Sequence, residues 1–237
     1  MSARELIVLA PGAFSRALDA IAAAYGAKQE CQVLLRYGPA TGAAPQSLVS
    51  RLADDEPADV VLLPTALLGE QIAHGHVALG SDADVMRSLI GACVRAGTRI
   101  PDISTVAALT QVLRDAGTVA LSPAGSGAYV SNVLYKCLGL EAEMSTKTRT
   151  ISGEPVGVVV ARGEAELGFQ QMSELLVCDG ISIVGPLPDE VQSPTVIAAG
   201  ITSRSRRADE AEAFVSFFGS VEAAPLLRSG GVEPIGA

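Results

Sequence analysis

The sequence of 237 residues has no tryptophan, two histidines and few basic residues. Lysine and arginine total 17 against 26 acidic residues, so the formal net charge is −9. Because nucleic-acid binding needs a basic surface that neutralises phosphates, no nucleic-acid partner is expected. No apolar run approaches the ~20 residues that a membrane-spanning helix needs, so we expect no membrane span.

Cysteine and nucleotide motifs are equally sparse. Cys31, Cys93, Cys137 and Cys178 lie far apart and form no CxxC pair. This spacing, with only two histidines, argues against a zinc site and predicts buried free thiols of a reducing compartment. The chain also lacks Walker A and GxGxxG motifs. We therefore expect neither a metal nor a cofactor.

The amino-terminal segment MSARELIVLAPGAF does not have the pattern of a signal peptide. Its apolar run covers residues 6–10 and is followed at once by Pro11 and Gly12. Together with the unpaired cysteines, this favours a cytoplasmic location. A periplasmic location stays open if a leader has been removed.

The composition, 49% apolar with 24 glycines, is typical of α/β layering. Apolar periodicity predicts strands that alternate with helices, and hence two-lobed or single-domain α/β architecture with mixed, mostly parallel sheets flanked by helices. The predicted strands cover residues 6–10, 32–37, 59–63, 88–95, 119–121, 164–169, 181–186 and 196–201. The predicted helices cover residues 13–25, 45–53, 67–74, 105–116, 128–138, 154–162, 172–176, 209–218 and 223–227.

Loops of small or polar residues follow four of these strands, at residues 11–13, 38–43, 122–127 and 169–171. In open α/β sheets the ligand lies beyond the carboxyl ends of the strands, so these loops predict a binding site. The loop at 122–127 joins a strand to a helix, where backbone N–H groups and the helix dipole favour an anion. Its alternative interpretation is a helix cap followed by an ordinary turn.

Five stretches, taken in chain order, resemble the molybdate-binding branch of the type II periplasmic binding proteins. They are LIVLAPGAFSRALDAIAAAY, VLLRYGPATGAAPQSLVSRL, EPADVVLLPT, RGEAELGFQQMSELL and AEAFVSFFGSVEAAPLL. The segments GEAELGFQQMSEL and AGTRIPDISTVAAL are similar to its organic-acid side, which includes aconitate isomerase-like proteins. The resemblance implies one lobe at 1–82 plus 197–237, a second at 83–196, and a ligand cleft between them.

The resemblance also implies ligand positions. The molybdate binders carry a serine in the first loop, where this chain has Ala13 or, in a shifted register, Ser15. Their second serine falls near Ala40 and Thr41, and glutamines replace their tyrosine at the fourth loop. We therefore expect a di- or tricarboxylate rather than molybdate. The predicted ligand-binding residues are Gly12, Ala13, Phe14, Ser15, Ala40, Thr41, Ser122, Ser126, Gly127, Gln170 and Gln171.

An isomerase of the aconitate type requires a 1,3-proton shift, with a base beside the carboxylate and backbone N–H groups that stabilise the carbanion. Tyr129 and Glu154 are the predicted catalytic residues. A core or rim position is the alternative for Tyr129, and a charge that complements the first turn of a helix is the alternative for Glu154. His74 and His76 are expected in a surface turn.

Arginine forks are a further source of carboxylate recognition, and the candidates are Arg16, Arg36, Arg149 and Arg162. Two functions stay open at this stage. The chain is either an isomerase of unsaturated carboxylic acids or a solute-binding protein of an ABC transporter that only captures its ligand, with a ligand sensor as a third option. The sequence gives no indication of the oligomeric state.

Overall fold

A computed structural model describes residues 4–41 and 45–235 of the chain. The chain divides into two compact units. Unit 1 contains the residues up to Ser88 and those from Thr195 onward, and unit 2 contains Leu89–Pro194. The boundaries differ from those that the resemblance implies, because the strand at Ala83–Ser88 pairs with the unit 1 sheet.

Unit 1 contains one six-stranded sheet with helices on its faces. Its strands are β1 (Arg4–Pro11), β2 (Cys31–Gly38), β3 (Val60–Pro64), β4 (Ala83–Ser88), β10 (Thr195–Ile201) and β11 (Val232–Pro234), in the spatial order β11-β4-β10-β3-β1-β2. Its helices are α1 (Ser15–Gln29), α2 (Leu48–Ala53), α3 (Thr65–Ala73), α10 (Ala208–Phe217) and α11 (Ala223–Ser229).

The unit 1 core covers both faces of this sheet. One cluster packs β1 and β3 against α1 and α10 around Phe214 and Phe218, and the other packs them against α2 and α3 around Leu63. Burial of both faces explains the uninterrupted apolar run of β3. Ser47 caps α2, since its hydroxyl accepts a hydrogen bond from the Ser50 N–H at 3.2 Å.

Unit 2 contains a five-stranded sheet in the order β7-β6-β8-β5-β9. Its strands are β5 (Ile90–Arg95), β6 (Val119–Leu121), β7 (Thr148–Thr150), β8 (Leu167–Gln171) and β9 (Ile181–Pro186). Its helices are α4 (Val106–Asp115), α5 (Ser126–Tyr129), α6 (Tyr135–Cys137), α7 (Glu141–Met144), α8 (Val156–Ala161) and α9 (Met172–Leu175). A π-helical turn at Val130–Leu134 joins α5 to α6.

Close helix-to-sheet packing in unit 2 depends on glycine. A Cβ atom at Gly168 would lie 2.7 Å from side-chain atoms of both Val156 and Val160, so α8 contacts the backbone of β8 directly. The opposite face of the sheet carries a larger cluster, in which Phe169 packs with residues of α4 and of the helical segment after β6. Residues 168 and 169 thus face opposite sides, as strand alternation requires.

The mixed sheets flanked by helices are as predicted, but parallel pairings do not predominate. In the described residues, four strand pairs are parallel and five are antiparallel. Four of the five antiparallel pairs involve β4 or β5, which are two strands separated at Leu89 rather than the single strand predicted at 88–95, and the fifth joins β10 to β3. β4 and β5 each join a different sheet next to a strand of opposite direction.

The expectation of four buried thiols is also incorrect in part. The four cysteines are unpaired, but Cys93 alone is fully buried. Cys31 and Cys178 are half-buried and Cys137 is exposed at the end of α6, because the buried face of that helix is occupied by Tyr135.

Candidate functional site

Three parallel strands of unit 2, β6, β7 and β8, end at the same edge of the sheet, where loops follow β6 and β7 and α9 follows β8 directly. Leu121 of β6 pairs with Phe169 of β8 on one side and with Thr150 of β7 on the other. Because parallel strands lie about 4.8 Å apart, Ser122 and Gln170 emerge side by side at this edge. The Ile151 N–H donates to the Leu121 carbonyl oxygen at 2.8 Å, which holds the β7–α8 loop beside them.

The loop from Ser122 to Gly127 is tightly closed. A Cβ atom at Gly127 would lie 2.0 Å from the Ser122 carbonyl oxygen and 2.5 Å from its nitrogen. Gly125 has φ of +56°, which favours glycine. The Ser122 hydroxyl donates to the Ala124 carbonyl at 2.8 Å, so it braces the loop instead of presenting a free donor.

Ser126 is the polar side chain of this loop that stays available. It begins α5 and is 5% exposed. Within the described residues its hydroxyl has no hydrogen-bond partner. Among the described residues the fully buried side-chain oxygen that lacks a partner is Ser173 Oγ in α9, so the Ser126 hydroxyl is an available donor rather than a buried unsatisfied group.

Gln170 is buried and its amide is engaged on both sides. Its Oε1 accepts from the Gly157 N–H near the start of α8 at 3.3 Å, and its side chain also hydrogen-bonds to the Glu174 carboxylate. Gln171 is half-buried and occupies the N-cap position of α9. Gln170, one of the two predicted amide ligands, therefore links α8 to α9 through its side chain.

Tyr129 lies in α5, one turn after the loop. Its side chain is half-buried against the unit 2 core, and its hydroxyl donates to the Val191 carbonyl oxygen at 2.9 Å. Burial, with a smaller contribution from Cys137, raises the pKa of Tyr129. A phenol in this state holds its proton, so the geometry supports a bracing or hydrogen-bonding role better than that of a base.

Glu154 lies two residues before α8, not within its first turn as predicted. Both of its carboxylate oxygens accept from the Arg162 guanidinium, at 2.6 and 2.8 Å, and both side chains are exposed. The Arg162 hydrogen bonds lower the pKa of Glu154. A carboxylate stabilised in this way is a weak base, which argues against Glu154 as the group that removes a proton.

Glu174 has the opposite environment and was missed by the sequence analysis. It is a half-buried residue of α9, and its carboxylate accepts from the Gln170 side chain and the Gln171 backbone N–H. Burial raises the pKa of Glu174, and the two hydrogen bonds offset this only in part. The signal in the sequence is the spacing Gln171-x-x-Glu174 after a strand, in which the third helical residue reaches back to the N-cap N–H.

In unit 1 the equivalent edge is formed by β1 and β2, with Pro11 paired to Gly38. Gly12, Ala13 and Phe14 form a 3-10 turn, and the Phe14 side chain enters the core. Ser15 begins α1, and its carbonyl oxygen accepts from the Tyr37 hydroxyl at 3.2 Å.

The second loop of unit 1 follows β2. Ala40 is half-buried against the apolar cluster of α2, and Thr41 is exposed. Positions 42 and 43 of the predicted loop lie outside the described residues. Arg51 braces the loop, because it donates to the Tyr37 carbonyl at 3.2 Å and binds Glu56 through two nitrogens at 2.6 and 2.7 Å.

The remaining charged candidates are largely engaged. Arg36 donates to Glu56 at 3.0 Å, and Arg149 donates to the Glu164 carbonyl at 2.7 Å. His74 and His76 lie 6.2 Å apart between ring centroids, just after α3. Across residues 4–41 and 45–235, no three side chains of histidine, cysteine, aspartate or glutamate come together as metal ligands. Over the same two ranges, every helix is too short or too polar to cross a bilayer.

Comparisons with known proteins agree on the fold. The family model for bacterial extracellular solute-binding proteins matches residues 6–233. A protein named aconitate isomerase, from a Pseudomonas species, is 39% identical over 232 residues, which cover 98% of this chain and 88% of that protein.

Two solved structures are similar over almost their whole length. A substrate-binding domain from Clostridium difficile has a TM-score of 0.81 at 18% identity and covers 98% of this chain and 99% of its own. The periplasmic molybdate-binding protein of Azotobacter vinelandii has a TM-score of 0.71 at 18% identity, and the match covers 96% of this chain and 98% of that protein. These identities are low, so the two structures bear on the fold alone.

Proposed function

Because the chain belongs to the bacterial extracellular solute-binding protein family, we propose that it binds a small organic anion of the di- or tricarboxylate class and isomerises it. The reaction is a 1,3-proton shift that moves a carbon–carbon double bond, with aconitate as the substrate to test first. The position of the ligand between the two lobes stays a prediction from the resemblance.

The observation that carries this proposal is the 39% identity with a protein named aconitate isomerase, spread over 98% of the chain. The molybdate-binding structure shares the fold at 18% identity and therefore says little about the ligand.

The chemistry of the unit 2 edge supports a carboxylate ligand. Within the described part of the chain no hydrogen bond engages the Ser126 hydroxyl, and this residue begins a helix directly after the closed loop that starts at Ser122. Neutral donors of this kind stabilise a carboxylate and also the more concentrated charge that develops on it when a neighbouring carbon loses a proton.

Proton exchange tests the proposal directly. The protein is incubated in D₂O with trans-aconitate, cis-aconitate, citrate and succinate in turn, and deuterium incorporation is followed by proton NMR. Titration calorimetry with the same acids, and with molybdate and sulfate, measures affinity. We expect deuterium uptake and interconversion for the two aconitates, and binding of carboxylates in preference to the tetrahedral oxyanions.

A non-catalytic solute-binding protein is the second candidate, favoured by the description of the family whose model covers residues 6–233. The same experiment separates the two functions. Binding of a carboxylate without exchange supports the solute-binding protein, and tight binding of molybdate overturns the carboxylate proposal as a whole.

A further inference from the structure

A 1,3-proton shift needs one ionisable group that can take a proton from one carbon and return it to another. Three side chains at the unit 2 edge have such a group. Glu154 is tied to Arg162 through both oxygens, and the Tyr129 hydroxyl donates to a backbone carbonyl. Glu174 is the carboxylate of the three that has no cationic partner among the described residues, and its hydrogen bonds come from the Gln170 amide and the Gln171 N–H.

The strand geometry directs the Glu174 carboxylate to the side of β8 that carries the loop at 122–127. The Met172 N–H donates to the Leu89 carbonyl, on the β5 side of β8. Successive N–H groups of a strand point to opposite sides, so the Gln171 N–H points to the β6 side. Glu174 accepts that N–H, and its carboxylate therefore lies on the β6 side of β8, the side on which Ser122 begins the loop.

A second contact fixes the carboxylate in this position. The Gln170 side chain links Glu174 to the Gly157 N–H of α8, and Gln170 is itself only 6% exposed. The chain of contacts from α8 through Gln170 to Glu174 is anchored in the helix-to-sheet packing at Gly168. A group held from two sides is preorganised for proton transfer at one location.

The surroundings of Glu174 contain few charges. The elements packed most extensively against α9 are β5, β8 and β9, and the ionisable residues of these strands are Cys93 and Arg95 of β5. Cys93 is buried with a raised pKa of about 12 and stays neutral near pH 7. Arg95 lies at the far end of β5 from Ile90, whose pairing partner is Gln171. Burial thus dominates the titration of Glu174, and its pKa is raised.

We propose that Glu174 is the catalytic residue that removes and returns the proton, an assignment that rests on the proposed function. Its ionised carboxylate breaks a C–H bond of the substrate CH₂ group and forms an O–H bond. The electron pair delocalises over the three allylic carbons and the adjacent carboxylate, which Ser126 and the loop N–H groups stabilise. The Glu174 O–H then protonates the former vinyl carbon, so the double bond moves without oxidation, reduction or a co-reactant.

The experiment compares Glu174→Gln with Glu166→Gln in the full-length protein, with trans-aconitate in D₂O as the probe. Glu166 is a matched control because its carboxylate also accepts a backbone N–H, from Gly117 at 2.8 Å, but just before β8 begins. We expect Glu174→Gln to lower the exchange rate by at least ~100-fold, the typical contribution of a general base, with affinity changed by less than about threefold. Glu166→Gln should exchange like the unmodified protein.

Glu174→Asp and a pH profile keep the inference testable if the glutamine variant folds poorly. The aspartate variant should retain measurable exchange, because it keeps the carboxylate. The unmodified protein should lose activity as the pH falls and Glu174 becomes protonated, at a pH above the ordinary pKa of glutamate. In the aspartate variant, the pH at which activity is lost on the acidic side should shift.

Each outcome supports or overturns the assignment of Glu174 as the catalytic residue. Full exchange in a folded Glu174→Gln protein overturns the assignment while leaving the proposed function intact, and so does a 100-fold loss in Glu154→Gln with Glu174→Gln unaffected. Absence of exchange in the unmodified protein overturns the proposed function and this assignment together.

Discussion

The two units present the same arrangement, a pair of parallel strands followed by small-residue loops, but they brace it by different means. In unit 1 the loop after β2 is held by an ion pair, since Arg51 contacts both Glu56 and the Tyr37 carbonyl. In unit 2 the loop after β6 is held by contact between Gly127 and the Ser122 backbone, with neutral hydrogen bonds around it. The unit 1 brace therefore depends on charge and pH, and the unit 2 brace depends on the absence of a side chain.

The largest effect is expected from Gly127→Ala, with Gly12→Ala as its counterpart in unit 1. A Cβ atom at Gly127 would overlap the Ser122 carbonyl oxygen at 2.0 Å, whereas one at Gly12 would lie 4.0 Å from the Tyr37 Cβ. We expect Gly127→Ala to lower the free energy of unfolding by about 2–3 kcal/mol, because overpacking forces the backbone to move. Gly12→Ala should change it by less than ~0.5 kcal/mol. Urea unfolding measures both, and equal values for the two variants would contradict the steric account.

Removal of an arginine tests the charged brace. Arg51→Met leaves Glu56 without its principal partner in a site where the arginine side chain is 14% exposed. We expect a loss of about 2 kcal/mol in the free energy of unfolding. Arg162→Met is the matched variant in unit 2, since it breaks a similar two-nitrogen contact with Glu154 at an exposed position. It should leave the unfolding free energy unchanged. Similar losses in both variants would show that burial does not distinguish the two pairs.

The smallest expected effect is a pH dependence of the free energy of unfolding, caused by a residue of unit 1. Hydrogen bonds from Arg51, aided by Arg36, lower the pKa of Glu56 from 4.5 to about 2. Because the folded-state pKa is depressed, the stabilisation is complete above about pH 4.5 and is lost as the pH falls toward 2. Glu56→Gln should therefore flatten the decline of the unfolding free energy between these values. If the unfolding free energy of Glu56→Gln declines with acid as in the unmodified protein, groups other than Glu56 cause the pH dependence.

Much of the fold follows from local patterns. The apolar runs of β1, β3 and β9 and the amphipathic period of α4 predict those elements within a few residues, because burial of one face or of both fixes the pattern. The three-residue strands β7 and β11 and the four-residue helix α7 were missed, since elements this short contain less than one full period. The separation of β4 from β5 at Leu89 also escapes periodicity, because β4, with the sequence ADVMRS, does not alternate between apolar and polar residues.

The site was predicted in its backbone more than in its side chains. The turns after β1, β2 and β6 were found because glycine, proline and serine mark them, but the predicted loop at 169–171 was wrong, since these residues end β8 and α9 begins at Met172. The hydrogen-bond partners of the side chains were not predicted, because they lie far away in the chain or on another element. Tyr129 bonds to Val191, 62 residues later, and Gln170 bonds to Gly157. Glu154 and Glu174 look alike in the sequence, and only their neighbours separate them.

The sequence by itself determined the α/β alternation, the turns after β1, β2 and β6 and the family, because each of these depends on residues close together in the chain or on their order. The tertiary structure decided which carboxylate is tied to a guanidinium and which is half-buried among amides. That difference depends on burial and on contacts made across strands and helices, and those are what shift a pKa. For this chain the tertiary structure therefore distinguishes Glu174, held by Gln170 and the Gln171 N–H, from Glu154, held by Arg162.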